Sequence, residues 1–218
     1  MATVQKGEFV TVEYIGKIKD SGKIFDLTNE DVAKQLGMFN TQSNFGARTI
    51  CVGENQILKG IDKILPGKEI GKPFAVEVAP NEAFGSKDSK LLKVMATQEL
   101  LKQKIQPFPG LQINASGLLG TVRSVNIGRT TVDFNHPLAG KTLLYEVTIT
   151  KKVDDPQEKL DGLVKNIINV RKEEYSIKNE DKKYTLTFKN GVAFPQMFKD
   201  DFVKKVKKFI PEIECTFA

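Results

Sequence analysis

Residues 135–149, NHPLAGKTLLYEVTI, decide how this chain is read. Leu143, Tyr145, Val147 and Ile149 alternate with Thr142, Leu144, Glu146 and Thr148, which is the period of a strand with one apolar face rather than of a helix. A rigid Asn-His-Pro turn precedes the strand, and a single tyrosine, Tyr145, lies on its apolar face. The question is what that tyrosine meets.

Partner strands lie far upstream. Residues 8–18, EFVTVEYIGKI, place Val10, Val12 and Tyr14 on one side before the KDSGK turn, and KPFAVEVAP does the same with Phe74, Val76 and Val78. Between them, Asn29 can cap a short helix with Val32, Ala33 and Leu36 on its apolar edge, ended by Gly37. TICVGENQILKGIDKILPG then predicts a short strand leading into a helix with Ile57, Leu58, Ile61 and Ile64 on one side, ended by Pro66-Gly67. One short helix among several strands predicts an α+β fold, a curved antiparallel sheet packed over that helix.

Two further regions are expected. Residues 87–134 interrupt the strand pattern, and a structureless loop of that length is unusual in a compact domain, so a small inserted β-rich domain is predicted. The main domain is then 1–86 with 135–153. After the linker-like Asp154-Asp155-Pro156, Leu160, Leu163, Val164, Ile167 and Ile168 form a helical stripe. Tyr175 with Ile177 and Tyr184 with Leu186 and Phe188 predict two strands, and a second helix carries Phe198, Phe202, Val203, Val206 and Phe209 before a last short strand. Residues 156–218 are therefore expected as a small C-terminal α+β domain that serves protein contact and stays clear of catalysis, a homodimer through it being one use.

Bulk properties narrow the chemistry. The 218 residues are 40% hydrophobic and 28% charged, which suits a globular chain with a real core. No stretch reaches the roughly 18 apolar residues of a spanning helix, and the N-terminus lacks a leader pattern, so a cytoplasmic protein without membrane contact is expected. The net charge of +6 is spread along the chain, which argues against nucleic acid as the partner. The KKVKK cluster at 204–208 is read as the solvated side of an amphipathic helix rather than an RNA-binding patch. Cys51 and Cys215 are expected as buried thiols. His136 is the sole histidine and is assigned to its turn; with no phosphate loop, dinucleotide fingerprint or metal-ligand spacing, no cofactor and no metal are expected.

One reaction needs none of those groups. Resonance makes rotation about an X-Pro amide slow, and an apolar, desolvating aromatic pocket can favour the twisted amide over the planar one without a nucleophile. The motifs VTVEYIGK, KIFD, VGENQILKGI, PG, NEAFG and NHPLAGKTLLYEVTI, in this order and spacing, resemble the FKBP-type peptidyl-prolyl isomerases, and are similar to their SlyD-like members. The resemblance covers residues 1–153 including the insert, and the region after Pro156 resembles the long archaeal form of the group. It implies that Tyr14 and Phe25 are aromatic walls, Asp26 a polar group at the rim, Ile57 and Leu58 the apolar pair at the helix start with Ile57 and the Leu58 backbone amide lining the ligand side, and Tyr145 the aromatic of the returning strand. Ile61 stands where relatives carry a tryptophan, and Phe84 where they carry a flap tyrosine. The resemblance further implies unfolded or partly folded polypeptides with X-Pro bonds as substrates, and a macrolide as a candidate ligand. A rival reading is a holdase whose insert binds chains through Leu91, Leu92, Val94, Met95, Leu100, Leu101, Ile105, Phe108 and Leu118, isomerisation being secondary.

Overall fold

In the computed structural model, which describes residues 2–40, 45–115, 117–189 and 194–218, the first alternating segment forms β1 (Phe9–Ile18). It is followed by β2 (Ile24–Leu27), α1 (Glu30–Gln35), β3 (Arg48–Cys51), α2 (Lys59–Asp62) and β4 (Phe74–Val78). The insert contributes β5 (Leu92–Ala96), α3 (Thr97–Lys102), β6 (Gln112–Ala115), β7 (Leu118–Asn126) and β8 (Arg129–Asp133), and the opening stretch returns as β9 (Leu143–Val153). Then come α4 (Pro156–Leu163), β10 (Tyr175–Glu180), β11 (Lys183–Phe188), α5 (Gln196–Phe209) and β12 (Glu214–Phe217). The fold is α+β, as expected. Contacts divide the chain into two units, Met1–Val78 with Thr142–Ala218, and Ala79–Lys141.

The first unit is built on a sheet of order β2-β1-β9-β4, with β3 also paired to β1. Its strands are antiparallel, so the alternation of each places Val10, Val12 and Tyr14 on the same face as Tyr145, Val147 and Ile149, all buried. Helix α2 covers this face. Its Gly60 approaches Val78 of β4 so closely that an added Cβ would lie 2.5 Å from Val78 Cγ1.

That helix is shorter than the sequence pattern predicts, since Ile57 and Leu58 precede it rather than riding on it. The buried carboxylate of Asp62 explains the delay. Its Oδ1 accepts from the Gly53 amide and its Oδ2 from the Asn55 amide, both at 2.8 Å, which pins the preceding loop in a turn where Gly53 and Asn55 have φ of 85° and 54°. These bonds satisfy a buried charge that would otherwise be costly.

At one end of the sheet the alternation fails. Phe9, Val10, Thr11 and Val12 are buried in succession, because the outer face is covered there as well. Phe9, Cys51 and Val153 join a core with Leu160, Leu163, Val164, Tyr184, Leu186, Phe202, Val206 and Ile210. Asp154-Asp155-Pro156 is thus no spacer. Asp155 caps α4, its Oδ2 accepting from the Glu158 amide at 2.8 Å, with Pro156 in the first turn, where its missing N–H costs nothing. Helix α4 runs on as a π-helical turn, Val164–Ile168, stopped by Asn169 in the left-handed region at φ 58°. The small sheet beyond pairs β10 with β11 antiparallel and β11 with β12 parallel.

The second unit has its own sheet, of order β5-β8-β7-β6, and a small core of Leu100, Ile113, Val122 and Val132. The apolar residues expected to bind chains divide in two. Leu100 is core, and Met95 and Ile105 pack against it. Leu91, Leu92, Val94, Leu101, Phe108 and Leu118 are exposed, as is Leu119. Among the described residues no helix is long and apolar enough to cross a membrane.

Candidate functional site

The register of the first unit lines up one row across four strands. Asp26 of β2 is opposite Gly16 of β1, Gly16 is opposite Tyr145 of β9, and Tyr145 is opposite Val76 of β4. Directly opposed residues share a face, so the carboxylate and the phenol come to the same side with a glycine between them. Gly16 is required there. A Cβ at this position would lie 2.7 Å from Tyr145 Cε1 and 3.1 Å from Phe25 Cζ.

Phe25 owes its place to an irregularity. The β1–β2 register jumps from Gly16↔Asp26 to Lys17↔Ile24, which leaves Phe25 as the extra residue of a bulge. Its ring meets Tyr145 edge-on, centroids 5.8 Å apart at 89°, and Tyr14 meets Tyr145 from another side at 5.6 Å and 69°. These three rings form an edge-to-face cup. Thr28 steadies it by accepting from the Tyr14 amide at 3.0 Å and donating to the Tyr14 carbonyl at 3.3 Å.

The electrostatics favour neutral phenols. Burial, opposed by Arg48 and reinforced by Asp26, pushes the Tyr14 hydroxyl up to about 12. Burial raises Tyr145 further still, with the Asp26 and Tyr14 charges adding to it. Both therefore remain hydroxyl donors at any working pH. Arg48 and Asp26 both act electrostatically on the Tyr14 hydroxyl, so one cation and one carboxylate flank the cup.

Of the residues predicted from sequence, the structure brings together Tyr14, Phe25, Asp26 and Tyr145. Ile61 is fully buried on α2, beneath the same face. Ile57 and Leu58 are half-buried in the segment entering that helix, and the Leu58 carbonyl accepts from the Ile61 and Asp62 amides. Phe84 belongs to the second unit, where its ring stacks flat on His136 at 4.4 Å and 2°. The His136 Nδ1 accepts from the Leu138 amide at 3.1 Å, in keeping with a turn role. Two contributors were missed. Gly16 was visible as a glycine inside a strand, a sign of close approach. Arg48 was not, because only the pairing of Val12 with Arg48 carries it to the face of Tyr14. Among the described residues no cluster suited to a metal occurs.

Comparison with known proteins defines the class. Residues 93–138 match the family described as FKBP26, IF domain. The chain is 31% identical over 106 residues to a probable FKBP-type 16 kDa peptidyl-prolyl cis-trans isomerase of Pseudomonas fluorescens, covering 46% of this chain and 69% of that one. It is 30% identical over 145 residues to the FKBP-type peptidyl-prolyl cis-trans isomerase SlyD of Treponema pallidum, covering 64% and 73%. A short-type peptidyl-prolyl cis-trans isomerase of Methanocaldococcus jannaschii is 28% identical over 146 residues, 67% of this chain and 92% of that one. The chain belongs to the FKBP-type peptidyl-prolyl cis-trans isomerase family, with an IF-like insert domain.

Proposed function

We propose that the cup of Tyr14, Phe25 and Tyr145 binds the proline ring of a polypeptide and isomerises the bond before it. The supporting observation is the row that sets Asp26 and Tyr145 on one face around Gly16. The planar amide resists rotation by about 18–20 kcal/mol. Twisting it removes the resonance and leaves a pyramidal nitrogen and a less polar carbonyl, both better suited to an apolar surround than the planar ground state. The cup supplies that surround, with Ile57, Leu58 and Ile61 as its aliphatic side. Asp26 orients the phenols and the local dipoles and attacks nothing. A macrolide that presents a proline-like ring would compete for the same cup.

The test is cis-to-trans relaxation of a short X-Pro peptide. Asp26→Ala and Phe25→Ala, each checked for an unchanged fold, are expected to lose at least about tenfold in kcat/KM, roughly 1.4 kcal/mol. Folded variants that match the wild-type rate would refute the assignment.

A second reading, holding of unfolded chains by the insert, is favoured by its exposed apolar residues. Val94 is 65% exposed and Leu118 and Leu119 are each 60% exposed, more apolar surface than a unit with so small a core needs to show. The two readings combine. A client tethered on the insert, residues 87–134, presents its prolines to the cup at a raised effective concentration. Replacing those residues by a short flap is expected to spare the peptide reaction and to impair refolding of a proline-limited protein; equal losses on both would make the insert part of the catalytic step. Residues 156–218 are proposed as the protein-contact region, pairing two copies, and a full-length chain that scatters as a monomer at every concentration would exclude the pairing.

A further inference from the structure

Arg48 borders a second space besides Tyr14. On that side lies a cleft of about 400 Å³, with Phe45 and Arg48 on one wall and Asp161, Lys165 and Lys172, from the end of α4 and the turns after it, on the other. The two walls are held at a fixed spacing. Gly162 lets α4 come so near to β3 that a Cβ there would lie 2.8 Å from the Thr49 carbonyl oxygen, and Asn166 Nδ2 donates to that same oxygen at 2.6 Å.

The cleft carries an excess of positive charge. Arg48, Lys165, Arg171 and Lys172 border it against Glu30, Asp161 and Glu173. Glu30 is already answered by Lys34 at 2.7 Å, and Arg171 by Glu174 at 3.2 Å. Asp161 is shared between Lys165, Lys172 and the Tyr175 hydroxyl, so two lysines draw on one carboxylate. Burial alone would push Asp161 up, but these partners outweigh it and hold its carboxyl below the usual range, so it stays charged and already engaged. What the cleft lacks is a further anion.

We propose that this cleft is a subsite for client residues flanking the prolyl bond and that it favours a carboxylate side chain there. The inference rests on the isomerase reading above, because the shared residue Arg48 joins the cleft to the cup. A chain whose proline sits among the three rings must leave past the Tyr14 hydroxyl or away from it, and Arg48 stands at the first exit. A tetrapeptide offers few residues beyond the cup, whereas a longer extended chain advances about 3.3 Å per residue and carries its flanking side chains toward the cleft. The C-terminal region then takes part in choosing clients, a protein-contact role that needs no catalytic contact.

The test uses the full chain and labelled peptides of about twelve residues sharing one X-Pro core, flanked by Glu or by Lys, with a tetrapeptide as control. Binding is read by fluorescence anisotropy and turnover by relaxation. Partly exposed charge pairs are weak, so the wild type is expected to bind the Glu peptide about three- to fivefold more tightly than the Lys peptide. The pair Lys165→Glu and Lys172→Glu is expected to reverse that order with tetrapeptide turnover unchanged; should it unfold, Lys165→Gln with Lys172→Gln is expected to abolish the preference. Equal affinity of the wild type for both peptides, or a preference that survives in the folded Gln variant, would overturn the proposal. A tetrapeptide inert to the wild type would instead remove the isomerase reading, and the anisotropy arm would still decide the cleft.

Discussion

The insert and the C-terminal region are both additions to the sheet-and-helix core, and they are stabilised in opposite ways. The insert closes a core of Leu100, Ile113, Val122 and Val132 within its own chain segment and leaves Val94, Phe108, Leu118 and Leu119 in solvent. The C-terminal helices close no core alone. Leu160, Leu163, Phe202 and Val206 share theirs with Phe9, Cys51 and Val153 of the main sheet. An added segment that keeps its own core can offer apolar surface to clients, while one that lends its apolar faces to the sheet becomes part of what holds the sheet together.

The largest effect should come from emptying each core. Phe202→Ala is expected to cost about 3–5 kcal/mol and to lower the denaturation midpoint of the main sheet with that of α5. Leu100→Ala, in the 2–5 kcal/mol range for such truncations, should melt the insert alone and leave short-peptide turnover near wild type. If Phe202→Ala unfolds α5 while the sheet keeps its midpoint, the comparison fails. Next comes Gly162→Val, aimed at the seam. Its side chain would collide with the Thr49 backbone, where an added Cβ already meets the carbonyl oxygen at 2.8 Å. Overpacking of about 1–3 kcal/mol should outweigh any gain in helix propensity from replacing glycine, by denaturation of the full chain.

The sequence made much of this legible, and the failures have physical causes. The sheet was readable because β1, β4 and β9 each have one buried face along most of their length, so period two survives. It broke at Phe9–Val12, where both faces are buried, and that uninterrupted run was itself the sign that another layer covers the sheet. Spacing within strands placed Tyr14 and Tyr145 on apolar faces, while the grouping of the cup's aromatic residues, Phe25 included, came from the resemblance of the motifs to a known family. Arg48 was missed because its role depends on register between strands, and the early start assigned to the helix at Ile57 reflects Asp62, a side chain whose bonds to a loop no periodicity encodes. Asp155-Pro156 looks like a linker and acts as a helix cap because the same residues suit both.

Smaller effects sharpen the contrast inside the insert. Asp133 is 6% exposed and accepts from Arg123 Nε at 3.0 Å, Asn135 Nδ2 at 2.8 Å and Lys87 Nζ at 3.3 Å. Burial alone would push its carboxyl up, but these bonds outweigh that and hold it down at about 2. A folded pKa below the unfolded value of about 3.9 gives a stabilisation that is full above roughly pH 5 and lost as pH falls through about 2. After solvent screening it should be on the order of 1 kcal/mol, and Asp133→Asn should remove the acid limb from the melting of the insert. A limb unchanged in the variant would place it elsewhere. Smallest of all in stability, Leu118→Ser with Leu119→Ser should change it by less than about 0.5 kcal/mol yet weaken suppression of aggregation of an unfolded client. Undiminished suppression would remove these leucines from client contact.

The central claim is that the C-terminal helices fold with the main sheet and the insert does not, and native-state hydrogen exchange across a denaturant series tests it directly. The amides of α4 and α5 are expected to open with the same free energy and denaturant dependence as those of β1 and β9, and the insert amides at a lower one. Amides of α4 and α5 that open together well below β1 and β9 would contradict it.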